Sequence, residues 1–169
     1  MKRLFNVRIV TLTIMLLMGA ITATAFELPQ GIGLPRQVEH AFTCNGTGSS
    51  TPIFDGDGPP VGADALASGH GLHIGLWIAV GKLQFAYDSG NPDISYESGT
   101  VSITADNGDQ LNLVLEGITT FSTKLTQGTG QFTGGTGRFN NARGSINFVV
   151  LHNFETGAFE VTMVGKLIY

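Results

Sequence analysis

Four glycines fall within the thirteen residues from Phe132 to Gly144, in the string Phe-Thr-Gly-Gly-Thr-Gly-Arg-Phe-Asn-Asn-Ala-Arg-Gly. A regular helix does not tolerate that density, because each interior glycine costs about 1 kcal/mol relative to alanine. The string instead predicts a backbone that bends sharply at Gly134, Gly135 and Gly137, held to a core by Phe132 and Phe139. A bend of this kind needs strands on either side of it, and the flanking residues supply them. Residues 119–125 and 130–133 lie before the bend, and residues 145–151 follow it.

Strand patterns continue through the remainder of the chain beyond Ala67. Residues 71–80 alternate Leu72, Ile74, Leu76 and Ile78 against His73, Gly75, Trp77 and Ala79, and residues 82–87 follow closely. Residues 100–105 and 110–118 flank Asp106-Asn107-Gly108-Asp109, and Asn-Gly is the strongest short-range signal for a type I′ hairpin. In residues 159–169, Phe159, Val161, Met163, Gly165, Leu167 and Tyr169 share one face. The count is seven to nine strands with no convincing helix. Such a chain must close or sandwich its sheet to hide the edges, and one small antiparallel barrel does so. Residues 26–66 read as irregular, because Pro29, Pro35, Asp55-Gly56-Asp57-Gly58 and Pro59-Pro60 interrupt them; one short strand is expected at residues 37–43. The barrel body is expected over residues 67–169.

The first 25 residues have the grammar of an export signal. Lys2, Arg3 and Arg8 precede an apolar run from Ile9 to Ile21, and Ala23-Thr24-Ala25 offers small residues for cleavage after Ala25. The expected location is secreted or periplasmic, with no stable membrane insertion after cleavage. All thirteen acidic residues lie beyond Ala25 but only six of the nine basic ones do, so the mature chain carries a net charge of −7. That balance repels phosphate backbones and makes nucleic acid a poor partner. Cys44 is the only cysteine, which rules out an internal disulfide; a buried structural thiol is expected there.

The segment from Gly134 to Gly144 resembles the Gly-Gly-Thr-Gly-x-Phe-x-x-Ala-x-Gly signature of dirigent proteins and the allene oxide cyclase barrel superfamily. Gly75-Leu76-Trp77, the hairpin from Ala105 to Leu111 and the closing Gly165-Lys166-Leu167-Ile168-Tyr169 extend the resemblance over residues 69–169, in the layout of small exported bacterial relatives. The resemblance implies an eight-stranded antiparallel barrel with an apolar cavity, and commonly a homo-trimer. Dirigent members steer the coupling of phenolic radicals, and the cyclases close a ring on a fatty-acid-derived epoxide. The shared glycines shape a loop and perform no catalysis, so neither activity transfers with the fold.

A small barrel turns one alternating face inward and has room there for side chains or one small ligand. Leu111, Leu113 and Leu115 alternate with Asn112, Val114 and Glu116. With the leucines inward, Asn112 and Glu116 are solvated. With the leucines outward, Glu116 becomes a lumen carboxylate whose desolvation suits it to acid or base catalysis, in an isomerase or cyclase. His73 shares a face with Trp77, and the pair, with Tyr87, could hold an aromatic or acyl ligand by stacking. Arg138 and Arg143 flank the end of the bend; they either clamp an anionic group at the barrel mouth or bond the carbonyls that the glycines expose. The candidate set is thus Glu116 for catalysis and His73, Trp77, Tyr87, Asn112 and Arg143 for a small apolar or aromatic ligand. No cofactor is expected: His70 and His73 fall on opposite strand faces, the Asp55–Gly58 run lacks the further ligands of a calcium loop, and no Gly-Lys-Ser/Thr follows the glycines. A packed, ligand-free core is the remaining alternative.

Overall fold

The structure is a computed structural model and describes residues 37–169. Residues 1–25, where an export signal is expected, and residues 26–36 lie outside the described residues. Eight strands follow one another around a closed barrel: β1 (Glu39–Ile53), β2 (Gly62–Gly71), β3 (Gly75–Tyr87), β4 (Ile94–Ala105), β5 (Gln110–Thr120), β6 (Leu125–Gly135), β7 (Arg143–Asn153) and β8 (Ala158–Ile168). Each is antiparallel to its neighbours, and β8 returns to pair with β1. A single 3-10 turn, Gly137–Phe139, sits between β6 and β7. The all-β antiparallel barrel expected from the strand pattern, with the eight strands that the resemblance implies, is the architecture observed.

Strand boundaries differ from expectation in several places; β4, for one, starts at Ile94 rather than at residue 100. The short strand anticipated at residues 37–43 continues to Ile53, and β2 starts at Gly62, so the barrel body begins at Glu39 rather than at residue 67. Ladder pairing along ten residue pairs holds this Ser-, Thr- and Gly-rich stretch extended, whatever its propensity. Residues 71–80 are not one strand, because residues 72–74 turn between β2 and β3 with His73 at φ 69°. Residues 119–125 likewise contain a turn, with Lys124 at φ 59°. A hairpin is present at Asn107-Gly108, with Ile103 paired to Leu111 across it, but its turn is not type I′: Gly108 is at φ 85° while Asn107 keeps a negative φ, and the Gly108 N–H donates to the Ala105 carbonyl at 2.9 Å.

Alternation divides the barrel into two regions. At one end, Phe42, Ile74, Leu111, Phe139 and Leu167 are fully buried and form a plug. The glycine-rich bend crosses this end. Gly134 and Gly137 take positive φ, as the bend requires, and Phe132 packs edge-on against Phe42 while Phe139 packs on Tyr169. Burying one such ring contributes roughly 1.5–3 kcal/mol. Asp109 fastens the bend to the neighbouring hairpin by accepting from the Arg138 backbone N–H at 3.2 Å, and Thr136 Oγ1 accepts from the Gln110 N–H at 2.8 Å. On the outer surface, Leu76, Ile78 and Val80 of β3 form an exposed aliphatic stripe.

Large lumen side chains need space, and facing glycines provide it. Gly46 and Gly69 are cross-strand partners on β1 and β2. A methyl group on Gly46 would stand 2.5 Å from the six-membered ring of Trp77, and one on Gly69 would stand 2.8 Å from it. The indole therefore lies directly on bare backbone. Gly117 and Gly128, partners on β5 and β6, seat the Phe148 ring in the same way.

Candidate functional site

Above the plug the barrel interior is a cavity of about 600 Å³, reaching from Trp77 at its floor to Tyr87, Phe121 and Phe154 at its lip. Space exists because one wall is made of small residues: Ala63, Ala65 and Ala67 on β2 face Ala79 and Gly81 on β3. Other strands carry the bulk, in Leu113, Leu115, Phe148 and Phe159. Between the lip loops, Ser122 donates to Asp93 from both its backbone N–H and its Oγ, each at 2.6 Å. Tyr87 donates to the Pro60 carbonyl at 2.8 Å. Tyr87 and Phe121 stack with centroids 6.2 Å apart, and Phe121 lies 5.6 Å from Phe154, which stacks on His152 at 5.1 Å. The lip is thus a ring of aromatic faces.

One polar feature interrupts the apolar lining. Glu97 of β4 faces the lumen beside Thr119 of β5, Thr126 of β6 and His152 of β7. Thr119 Oγ1 donates to Glu97 Oε1, Thr119 and Thr126 are joined at 2.5 Å, and Thr126 meets His152 Nε2 at 2.8 Å. A hydroxyl has one proton to give. With that of Thr119 given to Glu97, Thr126 gives its own to Thr119, and His152 then donates from Nε2. Every donor in the chain points toward the carboxylate, an arrangement in which successive bonds polarise one another. Burial nevertheless wins: it pushes the Glu97 carboxyl above its ordinary range against the hydroxyl donors, and pushes the His152 imidazole below its own. Burial, then the charge of Glu97, raises the Tyr87 phenol.

Among the residues anticipated from sequence, Trp77 and Tyr87 line this cavity. Trp77 is 3% exposed, and its Nε1–H has no acceptor among the described residues. The others lie elsewhere. Leu111 and Leu113 face inward and are buried, so Asn112 and Glu116 stand on the outer face, and Glu116 is exposed. The lumen carboxylate looked for at Glu116 is Glu97 instead. His73 is in the turn at the plugged end, its ring 4.5 Å from that of His40, so it shares no lumen face with Trp77. Burial, and then the charges of His40 and Arg138, lower its pKa. Arg143 is exposed at the start of β7, also at the plugged end. Arg138 donates to the His73 carbonyl at 2.9 Å and lies over the Phe139 ring, so it is occupied as a carbonyl partner rather than clamping anything at the mouth.

Glu97, Thr119, Thr126 and His152 were not singled out by sequence reasoning, yet a signal for the first two exists. The Asn107-Gly108 hairpin pairs Ile103 with Leu111, and counting outward in steps of two pairs Glu97 with Gly117 and Ser95 with Thr119. Once the leucines point inward, Glu97 and Thr119 must as well. Among the described residues, no group of three or more His, Cys, Asp or Glu side chains is arranged to hold a metal ion. The single helical element there is the three-residue turn, and no helix among the described residues is long and apolar enough to cross a membrane.

No family model matches the sequence, and no curated protein does. Among solved structures the chain is similar to that of a pterocarpan synthase dirigent protein, with 18% sequence identity and a TM-score of 0.45, covering 80% of this chain and 96% of that one. The eight-stranded antiparallel barrel stands on the strand pairing of this chain itself, and neither a fold family nor an activity follows from the likeness.

Proposed function

We propose that this protein is an exported barrel that takes a small apolar or aromatic molecule into its lumen. The observation that supports this reading is the cavity itself: about 600 Å³, apolar-walled, with an aromatic lip. Its size falls within the roughly 300–1,000 Å³ typical of small-molecule sites. A filled core, the alternative for a barrel with no ligand, needs large side chains where Ala63, Ala65, Ala67, Ala79 and Gly81 stand. The test is a thermal-shift and native mass-spectrometry screen of phenolic and acyl compounds, beside an Ala65→Phe variant that projects a ring into the lumen. Compounds that raise the melting temperature of the wild type and leave the variant unmoved support the reading; a blank in both assays ends it.

A second reading is favoured by the directed hydrogen-bond chain: an isomerase or cyclase in which Glu97, not Glu116, moves the proton. Its test is whether Glu97→Gln abolishes conversion of a bound compound while ligand-induced stabilisation persists. Export rests on the basic start, apolar run and small-residue ending of residues 1–25, and N-terminal sequencing of the secreted protein checks cleavage after Ala25. Self-association is supported by the exposed Leu76–Ile78–Val80 stripe, and sedimentation equilibrium tests whether it gives the homo-trimer that the resemblance implies.

A further inference from the structure

The lumen contains one carboxyl group, and no permanently charged cation balances it. Neither Lys nor Arg lines the cavity, and none of the three ion pairs among the described residues involves Glu97. Thr119 donates to Oε1, with Thr126 Oγ1 3.4 Å from the same oxygen, and Oε2 has no hydrogen-bond partner among the described residues. His152 is the one other ionisable group on the polar chain, and burial favours its neutral form. It supplies a directed dipole and no compensating charge.

Aromatic faces surround the same part of the lumen. Phe85 is the cross-strand partner of Glu97 on β3, and Tyr87 lies two residues further along the same face. Phe121, Phe154 and His152 complete the lip. A carboxylate without a counter-ion, set among π-faces in a low-dielectric cup, is complementary to an organic cation. The ring quadrupoles attract the positive charge, and the free carboxylate oxygen accepts its N–H. An anionic ligand meets the reverse: an uncompensated like charge, with no donor cation anywhere on the wall. The mature chain's net charge of −7 adds a long-range field of the same preference.

We infer that the lumen is selective for hydrophobic amines, with the ammonium group held by Glu97 and the lip rings and the hydrocarbon part extending toward Trp77. This rests on the lumen-binding reading above and narrows it to a ligand class. Where the amine enters neutral and Glu97 is protonated, one proton passes from the carboxyl oxygen to the amine nitrogen, and the cavity stays neutral overall.

The experiment compares three probes of one size and shape: 1-naphthylmethylamine, 1-naphthalenemethanol and 1-naphthoate, titrated calorimetrically into wild type and Glu97→Gln at neutral pH. The expected order for the wild type is amine, then alcohol, then carboxylate, with the amine favoured over the alcohol by roughly ten- to a hundred-fold, the contribution of a hydrogen bond to a charged partner. Glu97→Gln should bring the amine down to the alcohol's affinity and leave the alcohol unchanged. Alcohol binding with no preference for the amine overturns the amine selectivity, an amine preference that survives in Glu97→Gln overturns Glu97 as its source, and either leaves lumen binding standing. If none of the three binds the wild type, both readings fail together. The wild-type ranking decides the matter even if the variant does not fold.

Discussion

Gly69→Ala is a one-methyl change that tests whether facing glycines seat the indole. The added carbon would overlap the Asn45 carbonyl oxygen and stand 2.6 Å from Gly46 Cα and 2.8 Å from the Trp77 ring. Two of these neighbours are backbone atoms inside a paired ladder, so neither can step aside without breaking strand pairing between β1 and β2. Overpacking of this kind costs about 1–3 kcal/mol. For a domain of this size that corresponds to a fall in melting temperature of roughly 3–15 °C. Gly58→Ala is the control, because a methyl group there touches nothing within 4 Å; its effect through the unfolded chain is within about 1 kcal/mol. Trp77 is the only tryptophan, so its emission reports on the seat directly. Gly69→Ala should melt earlier in circular dichroism and shift the native emission, while Gly58→Ala does neither. Identical melts and spectra for the two variants would refute the seating argument and, with it, the account of why the floor of the lumen is where it is.

Three further outcomes are expected. Phe139→Ala removes a fully buried ring from the plug and should cost about 3–5 kcal/mol by urea denaturation, with a lumen-bound probe retained wherever the fold persists. Burial raises the Cys44 thiol from 9.0 to about 12, so the folded state holds that proton more tightly than the unfolded chain. Stability should therefore fall as pH rises from about 9 toward 12, by up to roughly 1.4 kcal/mol per pH unit, and the slope should flatten in Cys44→Ala; equal slopes would show that the thiol is not the titrating group. Glu97 obeys the same sign, since its folded carboxyl is also raised. Its contribution is present below the ordinary glutamate range and lost as pH rises through the folded value, so melting curves from pH 4 to 7 should show Glu97→Gln gaining on the wild type; a constant gap would place the carboxyl in contact with water.

Patterns that repeat locally were the legible part of this fold. Asn107-Gly108 fixed one hairpin, the leucines of β5 fixed which face is inside, and Phe132 with Phe139 marked the bend at the plugged end. Two turns were invisible because residues 72–74 and 121–124 continue the apolar alternation of their neighbours: the first is flanked by Gly71 and Gly75, which also read as strand positions, and the second has no glycine or proline at all. The polar site was hidden for a related reason. Glu97 lies in Tyr96-Glu97-Ser98-Gly99, where polarity does not alternate, and Thr126 and His152 belong to strands whose pairing partners the local sequence does not name. Only the barrel closing on itself brings the four side chains into one chain of hydrogen bonds.

Closure of the barrel also sets an order of events for the folding chain. Seven of the eight ladders join strands consecutive in sequence, and each can zip from its own turn. The eighth joins Glu39 to Ile168 and Ser49 to Ala158, residues more than a hundred positions apart. Contacts of that separation are slow to form, so the seam is expected to shut after the meander is built. Until then β1 and β8 are bare edges able to pair with another chain. Little holds the finished seam from outside: an exposed Lys166–Glu39 ion pair at 2.8 Å and the Thr162–Asn45 hydrogen bond at 2.9 Å. Refolding yield should accordingly drop as protein concentration rises, with strand-exchanged oligomers as the by-product, and amides along β1 and β8 should gain protection last in pulse-labelled hydrogen exchange.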